Sequence, residues 1–346
     1  MLSWLIIKLR ATNRPPQLES AIFTLHPLIQ PTQAMQVTDV LYGTVSVPPI
    51  IAELLALPAL QRLGRIHQSG GVFLVAPALQ HTRLEHSIGV MLLLRRLGAS
   101  EVEQVAGLLH DVSHTVFSHV VDYVLGNAAE DYHEQIIEQV VATSGLAPVL
   151  HRYGYHVTDM LAATFPLLEQ PLPRLCADRL DYTLRDLLHA DMLTHSEIQY
   201  FLAALTVTGG RIAVTSVAAA RWIQHQYARL VHDFFHRPDL VFANQTLATI
   251  LQYALQVGVL TEADFLRDDQ QVLDALQRAG LPFTTALADL RQLKGLDSFE
   301  PTKVITTQKF RWLDPDILLL DTVQPLSHYQ GLDEQANNGP NLAGAH

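Results

Sequence analysis

The 346-residue chain contains a single cysteine, Cys176. One thiol excludes a disulfide framework and suits a reducing compartment, so a cytoplasmic location is expected. Positive charge is also scarce: 23 Lys and Arg against 34 Asp and Glu leave a formal net charge of −11. Nucleic acids and anionic membranes are bound through a basic field, so neither is an expected partner. A phosphorylated substrate would have to be held by a few local cations. The opening run M-L-S-W-L-I-I-K-L-R is too short to span a bilayer, and no charge precedes it as in a secretory leader. Long repeats and low-complexity tracts are missing as well.

What is present is apolar and helical. Apolar residues make up 49% of the chain, enough for a sizeable core in one large domain or two. The spacing of Ile51, Leu54, Leu55, Leu60, Leu63 and Ile66 predicts two short helices meeting at Pro58. His86 to Leu97 reads as a buried helix. Ser100 and Glu103 read as a capping box opening the helix that ends at His110-Asp111. Helices are expected over 115–125 and 130–141, separated by Gly126-Asn127. Another is expected from Pro173, carrying Asp178, Tyr182 and Asp186 on one face. Residues 204–215 alternate around Gly209-Gly210 and predict a β-hairpin. A long amphipathic helix is expected to about His236, and another over 238–257. Residues 1–34 read as a loose extension and 261–324 as an accessory region with a strand at 303–306 and little chemistry. Residues 325–346 read as a disordered tail.

The chemistry gathers at L-L-H-D. A lone histidine on an apolar helix is ordinarily a satisfied core residue. Here five histidines lie between 86 and 133, namely His86, His110, His114, His119 and His133. In an apolar setting each would cost a few kcal/mol if unpaired. His86, the His110-Asp111 pair and an aspartate of D-R-L-D-Y, Asp178 or Asp181, make a ligand set for one divalent cation. Manganese, iron, nickel, zinc and magnesium are not distinguished, although two imidazoles disfavour a purely magnesium site. Such a centre polarises phosphoryl oxygens and acidifies water, so hydrolysis of a phosphate ester or anhydride is expected. His114, His119 and His133 are candidates for acid–base work. Asp122 and Glu134 are candidates for orienting those rings. A second metal on His114 and His133 is the alternative. Arg83, one helical turn before His86, can point into the same pocket and clamp a phosphate oxygen.

These blocks resemble the HD-domain phosphohydrolase superfamily, and within it the deoxynucleoside triphosphate triphosphohydrolases. The resemblance begins at V-T-D-V-L-Y-G near Met35. It runs through L-G-R-I-H-Q-S-G-G, H-T-R-L-E-H, L-L-H-D-V-S-H-T-V-F-S-H and D-R-L-D-Y-T-L-R-D, and fades after about residue 260. It implies a mainly α HD-domain fold over 35–260, with one small β-hairpin and a helical C-terminal region. It places the last metal ligand at Asp178, with Asp181 then read as a surface or capping charge. It assigns Gln68, Tyr182 and Asp186 to sugar contact, with Arg179 replacing a lysine, and one of the histidines to protonating the leaving 5′-oxygen. It also implies an oligomer and a nucleotide substrate, a (d)NTP yielding nucleoside and triphosphate. The alternatives are a phosphatase or phosphodiesterase acting on a monophosphate or signalling nucleotide, and a nucleotide-binding regulator with little turnover. Other positions also depart from the family pattern. Ser69 replaces a leucine at the deoxyribose, Phe234 a tyrosine of the sugar pocket, and Gln226 an arginine of the triphosphate site.

Overall fold

A computed structural model describes residues 35–300 and 312–329. A two-stranded antiparallel ribbon, β1 (Met35–Asp39) and β2 (Gly43–Val47), leads into α1 (Pro49–Leu55) and α2 (Pro58–Leu63). Proline stands at the start of both helices, where no backbone N–H is needed. Next come α3 (Arg83–Arg96), α4 (Glu101–Leu109), α5 (Val120–Leu125), α6 (Tyr132–Thr143), α7 (Leu146–Arg152), α8 (Val157–Ala162) and α9 (Ala177–His189). After α10 (His195–Ala203), the hairpin of β3 (Leu205–Thr208) and β4 (Arg211–Val214) precedes α11 (Val217–Arg229). That helix runs on as a π-helical turn over Leu230–Phe235. The chain continues through α12 (Pro238–Gln256), α13 (Asp269–Arg278), α14 (Phe283–Arg291), β5 (Asp316–Leu319) and β6 (Thr322–Pro325).

The helix α3 is the axis of the molecule. Ile88, Val90, Met91, Leu92, Leu93 and Leu94 are all buried, so it has no solvent face over that stretch. It packs on α4 and α9, and the three bring the L-L-H-D and D-R-L-D blocks together. Thr82 and Glu85 cap its start reciprocally, so the helix opens at Arg83 and His86 lies in its first turn.

Several local expectations change. Ser100 caps α4, accepting from the Glu103 N–H, but the Glu103 carboxylate does not return to it. It accepts instead from the N–H groups of Leu167 and Leu168, at 2.8 and 3.2 Å, tying the approach to α9 to α4. The helix expected over 115–125 forms only from Val120, because Phe117 and Ser118 have positive φ. The helix expected from Pro173 starts at Ala177. The hairpin over 204–215 forms, but β5 adds to β4 in parallel and β6 follows, giving a four-stranded sheet. Pro325 belongs to β6 and Leu326 is fully buried, so order extends past 325. The expected extension at 1–34, the strand at 303–306 and residues 330–346 lie outside the described residues.

Candidate metal centre and its acid–base flank

His86 comes from the first turn of α3, His110 from the C-cap of α4, and Asp178 from the first turn of α9. His86 Nε2 lies 3.0 Å from Asp178 Oδ1 and 3.3 Å from His110 Nε2. His110 Nε2 is 3.5 Å from the same Asp178 oxygen. Asp111 lies alongside, its Oδ1 3.4 Å from both His110 Nε2 and His114 Nε2. Its other oxygen accepts from Arg83 Nη1 at 2.7 Å.

Both ring tautomers follow from their partners. His86 Nδ1 is 2.8 Å from Asp181 Oδ1, and His110 Nδ1 is 2.8 Å from the Gly107 carbonyl. A carboxylate and a carbonyl only accept, so each Nδ1 carries the hydrogen. Each Nε2 therefore turns a lone pair toward the other and toward Asp178. Lone pairs and a carboxylate converging at these distances fit a divalent cation of mixed nitrogen and oxygen preference. The charge balance agrees. Burial opposes protonation of His86, yet Asp178 and Asp181 raise its pKa to about 10. Burial works against ionised Asp178, but His110 and His86 hold it well below the carboxylate range.

Asp181 is fully buried and not on the surface. It bonds His86 Nδ1, a bidentate Arg185 and the Tyr42 hydroxyl, and Arg185 also pairs with Asp39 at 3.0 Å. This network ties β1, α3 and α9 to the ring of one ligand. The Asp181–Arg185 spacing of one helical turn was visible in the sequence; its burial was not.

Beside the metal group lies a histidine stack. His114 and His133 are stacked at 3.9 Å, and His119 meets them edge-on at 5.0 and 5.5 Å. Burial, then Arg83 and His133, pushes the pKa of His114 well below its usual value. Burial lowers His133 to about 4. Both are neutral near pH 7. Asp122 Oδ2 holds His119 Nδ1 at 3.0 Å, and the Asp122 carboxylate is itself fixed by Asn127 and the Tyr132 N–H. The His119 side chain is 39% exposed, so a substrate can reach it. Asp111, His114 and His133 form a second group with metal-ligand spacing, adjoining the first through Asp111.

The remaining candidates divide. The Arg83 guanidinium is buried and engages Asp111, Ser118 Oγ and the Gln68 carbonyl, so it is committed to the protein. Gln68 Oε1 is buried with no partner among the described residues. The Tyr182 ring lies 6.4 Å from that of His86, and its hydroxyl meets that of Tyr227 at 3.4 Å. Asp186 turns to His81 Nε2 at 2.6 Å. Arg179 bonds the carbonyls of Arg174 and Gln170. Glu134 is exposed on α6. Phe234 is buried in the core.

The family model described as HD domain matches residues 83–186. An uncharacterized protein of Bacillus subtilis, YdhJ, is 46% identical over 245 residues, 70% of this chain and 75% of that one. The metal-dependent phosphohydrolase cns2 of Cordyceps militaris is 31% identical over 321 residues, 88% of this chain and 91% of that one. The human deoxynucleoside triphosphate triphosphohydrolase SAMHD1 is 32% identical over 141 residues, 34% of this chain and 22% of that one. A crystal structure of a hypothetical protein from Aquifex aeolicus superposes with a TM-score of 0.63, covering 87% of this chain and 93% of that one at 21% identity, and shows the fold.

Proposed function

Because the chain belongs to the HD-domain family of metal-dependent phosphohydrolases, we propose that it hydrolyses a phosphorylated nucleoside, with a (d)NTP cleaved to nucleoside and triphosphate as the leading case. The carrying observation is the convergence of His86, His110 and Asp178 on one point, with Asp111 joining it to a stack of neutral histidines. These four residues would hold one divalent cation. When bound, it supplies Lewis-acid polarisation of a phosphoryl oxygen and acidification of water.

The protein's own groups do the rest. Asp181 and the Gly107 carbonyl keep both ligand rings in the tautomer that leaves Nε2 free. Asp122 fixes His119 through Nδ1, leaving Nε2 to carry a proton to the departing 5′-oxygen. His114 and His133, held neutral by burial and by their cationic neighbours, add no charge to the pocket near pH 7. Tyr182 forms the wall beside His86, where a sugar would stack.

The (d)NTP case draws on the SAMHD1 similarity, which covers a third of the chain. Ser69 is the smaller, polar residue at the place where the resemblance puts a leucine against the deoxyribose. Ribo- and deoxynucleotides are therefore expected to be hydrolysed with similar kcat/KM, within about 10²-fold. A second reading, a phosphatase or phosphodiesterase with two metals, is favoured by the group of Asp111, His114 and His133.

Product analysis over a panel of ribo- and deoxynucleotides with manganese tests both readings. Triphosphate release supports the first, and orthophosphate release the second. Metal content near two per chain would also favour the second. A protein that retains metal but turns over none of the panel would overturn the nucleotide reading.

A further inference from the structure

Phe117 and Ser118 occupy consecutive left-handed backbone positions, with φ of 54° and 52°, although neither is glycine. Both are buried. Such residues are strained and persist only where the surroundings impose the conformation. They lie in the loop that carries His114 and His119.

Part of what holds them comes from beyond residue 260, the region that sequence pattern reads as having little chemistry. Asp269, at the start of α13, is 1% exposed. Its Oδ1 accepts from the Phe117 N–H at 2.7 Å. Its Oδ2 accepts from the His67 N–H at 2.9 Å and lies 2.7 Å from His67 Nδ1. The His67 ring is stacked on Phe73 at 3.6 Å, so it is held in place. The Val116 N–H donates to the Phe265 carbonyl at 3.0 Å. The Ser118 hydroxyl donates to the His67 carbonyl at 2.7 Å and accepts from Arg83 Nε at 2.8 Å. Arg83 then reaches Asp111. From the other side, Arg62 donates to the carbonyls of His114 and Arg267, at 2.7 and 3.2 Å. None of these bonds touches His86, His110 or Asp178.

We propose that Asp269 is a positioning residue for the acid–base histidines. It holds the 113–119 loop in the conformation that sets His114 against Asp111 and His119 beside it. The segment Phe265–Asp269 is thus a working part of the hydrolytic site. The inference rests on the reading of His114 and His119 as groups that serve the reaction. A carboxylate suits the place because three donors converge on two separate oxygens. Asparagine offers one acceptor oxygen and can serve Phe117 or His67, not both.

The test compares wild type, Asp269→Ala and Asp269→Asn, all loaded with manganese. Amide hydrogen exchange in the 113–120 peptide should accelerate about tenfold or more in Asp269→Ala, while the α9 peptide is unchanged. Metal content should stay within about twofold, and kcat for the fastest nucleotide of the panel should fall more than about tenfold at nearly constant KM. Asp269→Asn should recover part of both losses. Should the alanine variant not fold, the asparagine variant carries the same exchange measurement. Unchanged exchange at 113–120, or metal loss as large as that in His110→Ala, would overturn the proposal. Exchange needs no substrate, so a wrong nucleotide assignment leaves this result readable.

Discussion

His86 Nδ1 donates to Asp181 Oδ1 at 2.8 Å, and this one bond decides which nitrogen of the ring faces Asp178. Asp181 is itself fixed by two bonds from Arg185 and one from Tyr42. Asp181→Asn keeps the shape but can present its amide N–H₂ to the ring, which favours the wrong tautomer. Metal affinity is expected to fall about 10- to 100-fold. Manganese titration of the apo protein measures this; an affinity equal to wild type would show that the ring is oriented by something else.

Gly89 faces the same network from α3. A Cβ there would fall far inside van der Waals contact with Arg185 Nη2 and Asp181 Oδ2. Both are buried and multiply bonded, so neither can retreat. Gly89→Ala should destabilise the protein by about 1–3 kcal/mol or more. It should weaken metal binding as well, because Asp181 is pushed from His86. Thermal melting with and without manganese checks both effects.

His119→Gln should lower kcat by about 10²- to 10⁴-fold while metal content is unchanged, since His119 contacts none of His86, His110 and Asp178. Asp122→Asn should have a smaller effect, because the ring remains and only its tautomer is released. Parallel kinetics and elemental analysis decide the matter. Loss of metal in His119→Gln would place it among the ligands instead.

His189 is buried, and burial, then His81 and Arg185, pushes its pKa down to about 3. Its unfolded value is about 6.5. Between these values the unfolded chain takes up a proton that the folded protein refuses. Stability is thus full above pH 6.5 and falls on acidification toward pH 3, by about 1.4 kcal/mol per pH unit for this group. His189→Phe keeps a ring stacked on His81 and removes the titration. Urea unfolding at pH 7, 5.5 and 4.5 should show a shallower decline in the variant than in wild type. Equal slopes would mean that His189 is already protonated when folded.

How much of this was legible in sequence depended on range. L-L-H-D at a helix end and His86 in a first turn are local patterns, and α3 and α4 deliver them to one point. D-x-x-D was ambiguous because both aspartates start the same helix, and only burial separates Asp178, partly open to the pocket, from Asp181, sealed under Arg185. Residues 115–119 read as helix because their composition permits helix. The N–H of the left-handed Phe117 is held by Asp269, some 150 positions away, and no local pattern records that. Likewise the β3–β4 hairpin announced itself through Gly209-Gly210, while its partner β5 could not, since parallel pairing leaves no turn between the strands.

That late partner bears on how the protein is made. Ala213 and Val214 pair with Asp316 and Ile317, about a hundred residues downstream. Closing so long a loop is entropically costly and slow. Until β5 arrives, β4 is an open edge built from buried Ile212, Ala213 and Val214, a template for strands of other chains. During synthesis, aggregation risk therefore peaks after the hairpin emerges and ends only when residues 316–325 dock, whatever the state of the metal centre.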